Sequence, residues 1–186
     1  MPKPKITSDK IGALLKKEGI DLSKEKCVLV GVRGYFLNSM GSKGKNDIGI
    51  FDDGFIWVGA QGEFATFNGN TDPSRYYKNV ATLKPGKWRY KKGYHGYNKP
   101  SGHMAFRQAE PVVVLRYQSN GTFKEFPLGD TINIHRGGNS TTSSAGCQTL
   151  PPSQWEGFRE YGYMLLKRYE KKDFLYLLVS NDGEIA

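Results

Sequence analysis

The stretch from Ile132 to Leu150, INIHRGGNSTTSSAGCQTL, holds one histidine and one cysteine with eleven residues between them, nearly all small, polar or flexible. A thiol attacks carbonyls well only as the thiolate, so it needs a base or a cation beside it. His135 is the obvious base and Arg136 adds positive potential. Ser144-Ala145-Gly146-Cys147 brings the thiol up behind a glycine, where the chain can turn sharply and aim backbone N–H groups at one point. The bland alternative is a small buried hydrophobe. Cys27, inside the apolar run Cys27-Val28-Leu29-Val30-Gly31-Val32, is an example of it, whereas Cys147 is flanked by Gly, Ala, Ser and Gln. Spacing and composition leave catalysis and a plain structural loop both open.

The elements that must position these groups follow from the flanking pattern. Thr131-Ile132-Asn133-Ile134 alternates polar and apolar, which predicts a strand delivering His135 to a sheet edge. Arg136-Gly137-Gly138-Asn139 then breaks the strand, because paired glycines release the backbone from the extended region. A Ser/Thr loop leads to the thiol.

His135, Ser144, Gly146 and Cys147 resemble the signature of the L,D-transpeptidase catalytic domain (YkuD-like) family, in which a histidine precedes a Ser/Thr-x-Gly-Cys turn. Ala81-Thr82-Leu83-Lys84-Pro85-Gly86-Lys87-Trp88-Arg89-Tyr90 is similar to the family's Thr-Pro-x-Gly strand pair, so the likeness spans roughly Ala81 to Trp155. A wider group of phage and secreted wall-active proteins is similar in RGY, FNGNTDPS and IHRGGNSTTSSAGCQT, which suits an endolysin. The resemblance implies that a peptidoglycan stem peptide acylates Cys147, that His135 is its base, and that a backbone carbonyl from the Gly137-Gly138 region orients the imidazole. Two departures stand out. Gln148-Thr149 follows the nucleophile where the family carries Arg or Asn two residues on, and the loop from His135 to Cys147 is shorter than is usual there. Arg136 or Arg33 is left for the substrate carboxylate, with Ser144, Gly137, Gly138 and Gln148 completing the expected substrate side.

Composition bounds the rest. A chain of 186 residues can fill one domain with a small appendage, here residues 1–25 as an N-terminal helical segment before a catalytic domain over 26–186. The longest apolar runs, Cys27 to Val32 and Phe174 to Val179, are too short to span a bilayer. The N-terminus has charge but no apolar signal region, so export to a wall would need another route, such as phage lysis or a secretion machine. Net charge is +9 with pI near 9.4, which favours polyanions by long-range attraction. Nucleic acid and the anionic bacterial wall both qualify, and the resemblance favours the wall over nucleic acid. Lys84 to Lys99 interleaves six basic residues with Trp88, Tyr90, Tyr94 and Tyr97, which reads as a stacking platform or, preferably, a twisted hairpin with a solvated face. Two cysteines allow one disulfide at most, and a nucleophilic Cys147 has to stay free.

Taken in order, Thr7 to Glu18 predicts an amphipathic helix capped by Thr7 or Ser8 and closed by Gly19. Lys26 to Val32 predicts a buried strand ending at Arg33-Gly34-Tyr35. Leu37 to Gly54 is a long loop whose Asn46-Asp47 and Asp52-Asp53 fit turn chemistry better than calcium. A hairpin over Gly54 to Ala60 and Glu63 to Phe67 leads to Asn68-Gly69-Asn70-Thr71-Asp72-Pro73-Ser74, a cleft lining or an Asx-rich structural turn. Lys87 to Tyr94 predicts a strand, followed by a loop carrying His95 and His103, one of which is expected near Cys147. Their spacing matches no zinc motif, so neither metal nor cofactor is expected. Strands over Pro111 to Tyr117 and Phe123 to Phe126 precede the site. Ser153-Gln154-Trp155-Glu156 reads as a capping box opening a helix to about Lys171, and Phe174 to Val179 as a last strand before Asn181-Asp182-Gly183.

The whole is expected to be a mainly β, single-domain, L,D-transpeptidase-like β-sandwich or barrel with a C-terminal helix, acting as a monomer on stem peptides. Cys147 attacks, His135 moves the proton, and N–H groups at Gly146 and Cys147 hold the oxyanion, with hydrolysis favoured over crosslinking. The competing class is a binding module for wall glycan or nucleic acid, in which the Gly/Ser/Thr loop only recognises.

Overall fold

A computed structural model describes residues 3–96, 100, 102–128 and 131–181. The Asp182-Gly183 terminus and Tyr97 and Lys99 of the basic aromatic stretch lie outside the described residues. The chain is mainly β. Its order is α1 (Ser8–Lys17), α2 (Leu22–Glu25), β1 (Cys27–Arg33), β2 (Asp53–Gly59), β3 (Phe64–Gly69), β4 (Ala81–Leu83), β5 (Gly86–His95), β6 (His103–Gln108), β7 (Val112–Tyr117), β8 (Phe123–Leu128), β9 (Ile134–Arg136), β10 (Gln148–Leu150), α3 (Pro152–Arg168) and β11 (Asp173–Ser180). Among the described residues no helix is long and apolar enough to cross a membrane.

Eight strands form one sheet in the order β10-β9-β6-β5-β11-β1-β2-β3, and β4-β7-β8 form a second. The large sheet curls until its ends meet: Asn70, just past β3, exchanges both backbone hydrogen bonds with Thr149 of β10, at 2.8 and 2.9 Å. That closure satisfies backbone groups an open edge would leave unpaired. It lies two residues from Cys147.

Period-two alternation divides the central strands between two cores. Cys27 and Leu29 of β1, Phe55 and Trp57 of β2, and Phe174, Tyr176 and Leu178 of β11 face α3, whose Phe158 and Leu165 are fully buried against them. Gly162 lets α3 approach, since a Cβ there would sit 2.4 Å from the Trp57 ring. Val28, Val30 and Val32, Ile56, and Leu175 and Leu177 point the other way, against Ile11 and Leu15 of α1. Both faces of β1 are therefore covered, which is why it reads as an unbroken apolar run. The N-terminal segment packs on the same sheet as the rest.

Several local expectations change. Helix α1 begins as read, its Thr7 hydroxyl accepting the Lys10 N–H. Helix α3 does not use the capping box at Ser153: it starts at Pro152 with no side-chain cap, proline serving at the first turn where its missing N–H costs nothing. His95 and His103 are not on a loop. They are the last residue of β5 and the first of β6, directly paired across that hairpin. The basic aromatic stretch is largely this β5–β6 ribbon, with Arg89 bridging Glu25 and Asp173.

Candidate functional site

Four neighbouring strands, β5, β6, β9 and β10, deliver four chemically capable side chains to one end of the sheet. His95 ends β5, His103 opens β6, His135 is the middle residue of β9, and Cys147 immediately precedes β10. Strands β9 and β10 run parallel, pairing Thr149 with His135, so the connection between them must cross over. The Gly/Ser/Thr loop is that crossover, and it returns the thiol beside the imidazole. All three histidines of the chain meet here. The His95 and His135 rings stack at 3.8 Å and 13°, and the His103 ring lies 5.6 Å from both. One ligand atom each from His95, His135 and Cys147 lie within 4.8 Å of one another.

The imidazole of His135 is 4% exposed, and its Nδ1 lies 2.8 Å from the Arg136 carbonyl oxygen. A carbonyl only accepts, so Nδ1 carries the proton and Nε2 is left as base. The orienting carbonyl is thus that of Arg136, adjoining the Gly137-Gly138 region the resemblance implied. Burial, with His95 and His103 adding repulsion, holds the His135 imidazolium down to a pKa of about 3. Burial likewise pushes the Cys147 thiol up to about 11, against a lowering contribution from the Asn133 backbone. Both groups therefore rest neutral at pH 7, and the thiol donates to the Thr131 carbonyl at 3.2 Å. This is a thiol and imidazole pair, not a preformed thiolate and imidazolium pair.

The turn holding Cys147 is built around Ser144. Its hydroxyl donates to the Cys147 carbonyl at 2.7 Å and accepts the Gly146 N–H at 3.0 Å. Ser144 is thus a brace, and the Gly146 N–H, expected at the oxyanion, is already engaged. Gly146 has φ +124, and a Cβ there would lie 2.5 Å from the Ala81 carbonyl oxygen. From outside, Ser74 secures the loop: its hydroxyl accepts the Ser144 N–H at 2.8 Å and meets the Thr142 hydroxyl at 2.6 Å. Asn68, Asn70, Thr71 and Asp72 are buried, so the Asx-rich segment is scaffold for the site loop and not its lining.

The other candidate residues separate clearly. Arg33 lies under the site but binds the Thr71 and Leu83 carbonyls and the Thr71 hydroxyl, with Asp72 at 3.4 Å. Gln148 is fully buried, accepting the Tyr176 hydroxyl at 3.0 Å and reaching the Thr71 carbonyl. Gly137 and Gly138 pack against Phe51 and Ser143, and Arg136 is exposed. A cleft of about 280 Å³ does reach the thiol, lined by Tyr77, Val80, Arg116, Thr131 and Ala145. A larger one of about 670 Å³, between Phe51, Thr141 and Pro152, lies behind the loop and excludes Cys147. The smaller is the relevant one because Cys147 lines it.

Sequence reasoning missed Arg116 in that cleft, and also Thr131 and Asn133. The alternation over Thr131 to Ile134 pointed to a strand there, but the strand is Ile134–Arg136, and Thr131 just ahead of it takes a left-handed φ of +86.

Comparison with protein-family models, curated proteins and solved structures finds no match to this chain.

Proposed function

We propose that the protein is a cysteine enzyme of acyl transfer acting on stem-peptide bonds of peptidoglycan, as a peptidase. The observation that carries this reading is the convergence of His95 and His135 on one half-buried thiol at the mouth of a cleft, with the His103 ring beside both imidazoles. Burial and the grouping of the imidazoles hold the His135 imidazolium down, a perturbation of the kind that clusters at functional sites.

The sequence of events is acyl transfer through a thioester. Cys147 turns from the Thr131 carbonyl, gives its proton to Nε2 of His135 and attacks the peptide carbonyl. His135 then protonates the leaving amine as the C–N bond breaks. Water hydrolyses the thioester, returning a proton to sulfur and releasing a carboxylate. The Cys147 amide serves the oxyanion, while Gly146 and Ser144 keep that amide in place. Arg116, in the same cleft, supplies the charge for a substrate carboxylate. The wall as substrate comes from the likeness of His135, Ser144, Gly146 and Cys147 to the L,D-transpeptidase signature, and the net charge of +9 suits an anionic wall.

Digestion of purified peptidoglycan, followed by mass spectrometry of the soluble fragments, tests this reading. New free amine and carboxylate termini are the expected result, and fused stems would make the enzyme a transpeptidase. An unchanged fragment pattern with retained binding would favour the recognition-module alternative.

A further inference from the structure

The geometry points to a second capability of the same cluster: we propose that His95, His135 and Cys147 form a three-ligand site for a borderline-soft divalent cation, of which Zn²⁺ is the natural occupant. As regulation of the cysteine chemistry this rests on the reading above; as a binding site it does not.

Zinc takes imidazole nitrogen and thiolate sulfur at about 2.0–2.1 and 2.3 Å, with tetrahedral angles, so its donors sit roughly 3.3–3.7 Å apart. The three donors here already lie within 4.8 Å of one another, so they must draw in by about 1 Å and the two imidazoles must reorient. They come from β5, β9 and the residue ahead of β10 rather than from one local motif, which is why histidine spacing along the chain carries no zinc signal.

The surroundings of the histidines carry the argument further. Metal-bound imidazoles almost always give their other N–H to a carbonyl or carboxylate, which fixes the ring and its tautomer. His135 does so through Nδ1 to the Arg136 carbonyl. His95 has its Nδ1 3.0 Å from the side-chain amide of Asn133. The Asn133 side-chain oxygen is buried and has no hydrogen-bond partner among the described residues, while its NH₂ group faces the ring. Turning that amide over would let the orphaned oxygen accept from Nδ1–H of His95, leaving Nε2 of both rings as the ligand atoms. That orientation of the amide pairs the buried oxygen and sets the His95 tautomer that metal binding needs.

Binding has defined chemistry. The thiol loses its proton to solvent, one per metal ion, and both imidazoles coordinate as neutral ligands. Sulfur leaves the Thr131 carbonyl. The parallel stack of His95 on His135 must open, because in-plane lone pairs of parallel rings run side by side and cannot converge on one ion. With three protein donors a fourth position stays open to water or an anion, and the nucleophile is blocked.

The test uses the whole protein with Zn²⁺ or Co²⁺ as the only added ligand. Titration with Co²⁺ should give thiolate-to-metal charge-transfer absorption at one ion per chain, with one proton released per ion. Zn²⁺ should slow alkylation of Cys147 by iodoacetamide, and a chelator should restore it; Cys27 is fully buried and does not compete. His95→Phe, which keeps a ring in the stack, should weaken binding by about tenfold or more. Cys147→Ser should abolish the charge-transfer band. Circular dichroism on both variants checks that the fold is retained. Absence of the band in wild type, or His95→Phe binding as tightly as wild type, would overturn the proposal. These readouts do not depend on turnover, so loss of the acyl-transfer reading would leave the metal site standing, and the reverse.

Discussion

Gly146 fixes where Cys147 can be, because its φ of +124 and the Ala81 carbonyl at its back exclude any Cβ. Gly146→Ala is expected to cost about 1–3 kcal/mol or more in urea unfolding and to displace Cys147 from the cleft, with little turnover left even in the folded fraction. At His135 the consequence is different. The ring sits neutral with one nitrogen tied to the Arg136 carbonyl, so His135→Gln preserves a polar side chain of similar reach but no base. Steady-state kinetics on a stem peptide should show kcat/KM falling by about 10²–10⁴-fold. At this scale much of the site was legible. His135 and Cys147 stood out by residue type and by flexible surroundings. The engaged Gly146 N–H and the Arg33 contacts did not: the first depends on how the Ser144 side chain folds back within its own turn, the second on Thr71 from a distant loop.

Among the elements, the crossover loop between β9 and β10 depends on the segment after β3. Ser74→Ala removes the acceptor for the Ser144 N–H and the contact to Thr142, and is expected to cost on the order of 1 kcal/mol. Its larger effect should be on turnover, through a loosened Cys147 turn; comparing thermal melts with kcat separates the two. The strands with unbroken or alternating apolar residues, β1, β2 and β11, were readable because burial dictates their pattern. Strand β10 carries too few positions for periodicity, β9 starts only at the end of the Thr131 to Ile134 alternation that pointed to it, and their parallel pairing is a long-range fact. The same holds for β6, whose His103-Met104-Ala105-Phe106-Arg107-Gln108 is paired on both sides despite a weak alternation. Placing His95 and His103 opposite each other needed that hairpin register.

For the molecule as a whole, closure of the sheet by Asn70 and Thr149 ties the site to global stability, and buried charge near that seam sets its pH response. Asp52 is 1% exposed, and desolvation, aided by Asp72 and Asp47, pushes its carboxyl up to about 6, against lowering by backbone hydrogen bonds. An unfolded Asp ionises near its ordinary value, so the folded state holds this proton longer. The stability it contributes is complete below pH about 4 and is lost as pH rises through about 6. Asp52→Asn should therefore flatten the stability profile over that window and stabilise the protein at pH 7 by on the order of 1 kcal/mol, read by denaturant unfolding at pH 4 and pH 7. The most direct test of the central claim compares the rate at which wild type and Cys147→Ala release new amine termini from purified peptidoglycan, with circular dichroism confirming that both are folded. The account predicts steady release by wild type and none above background by the variant; equal release by the two would contradict it.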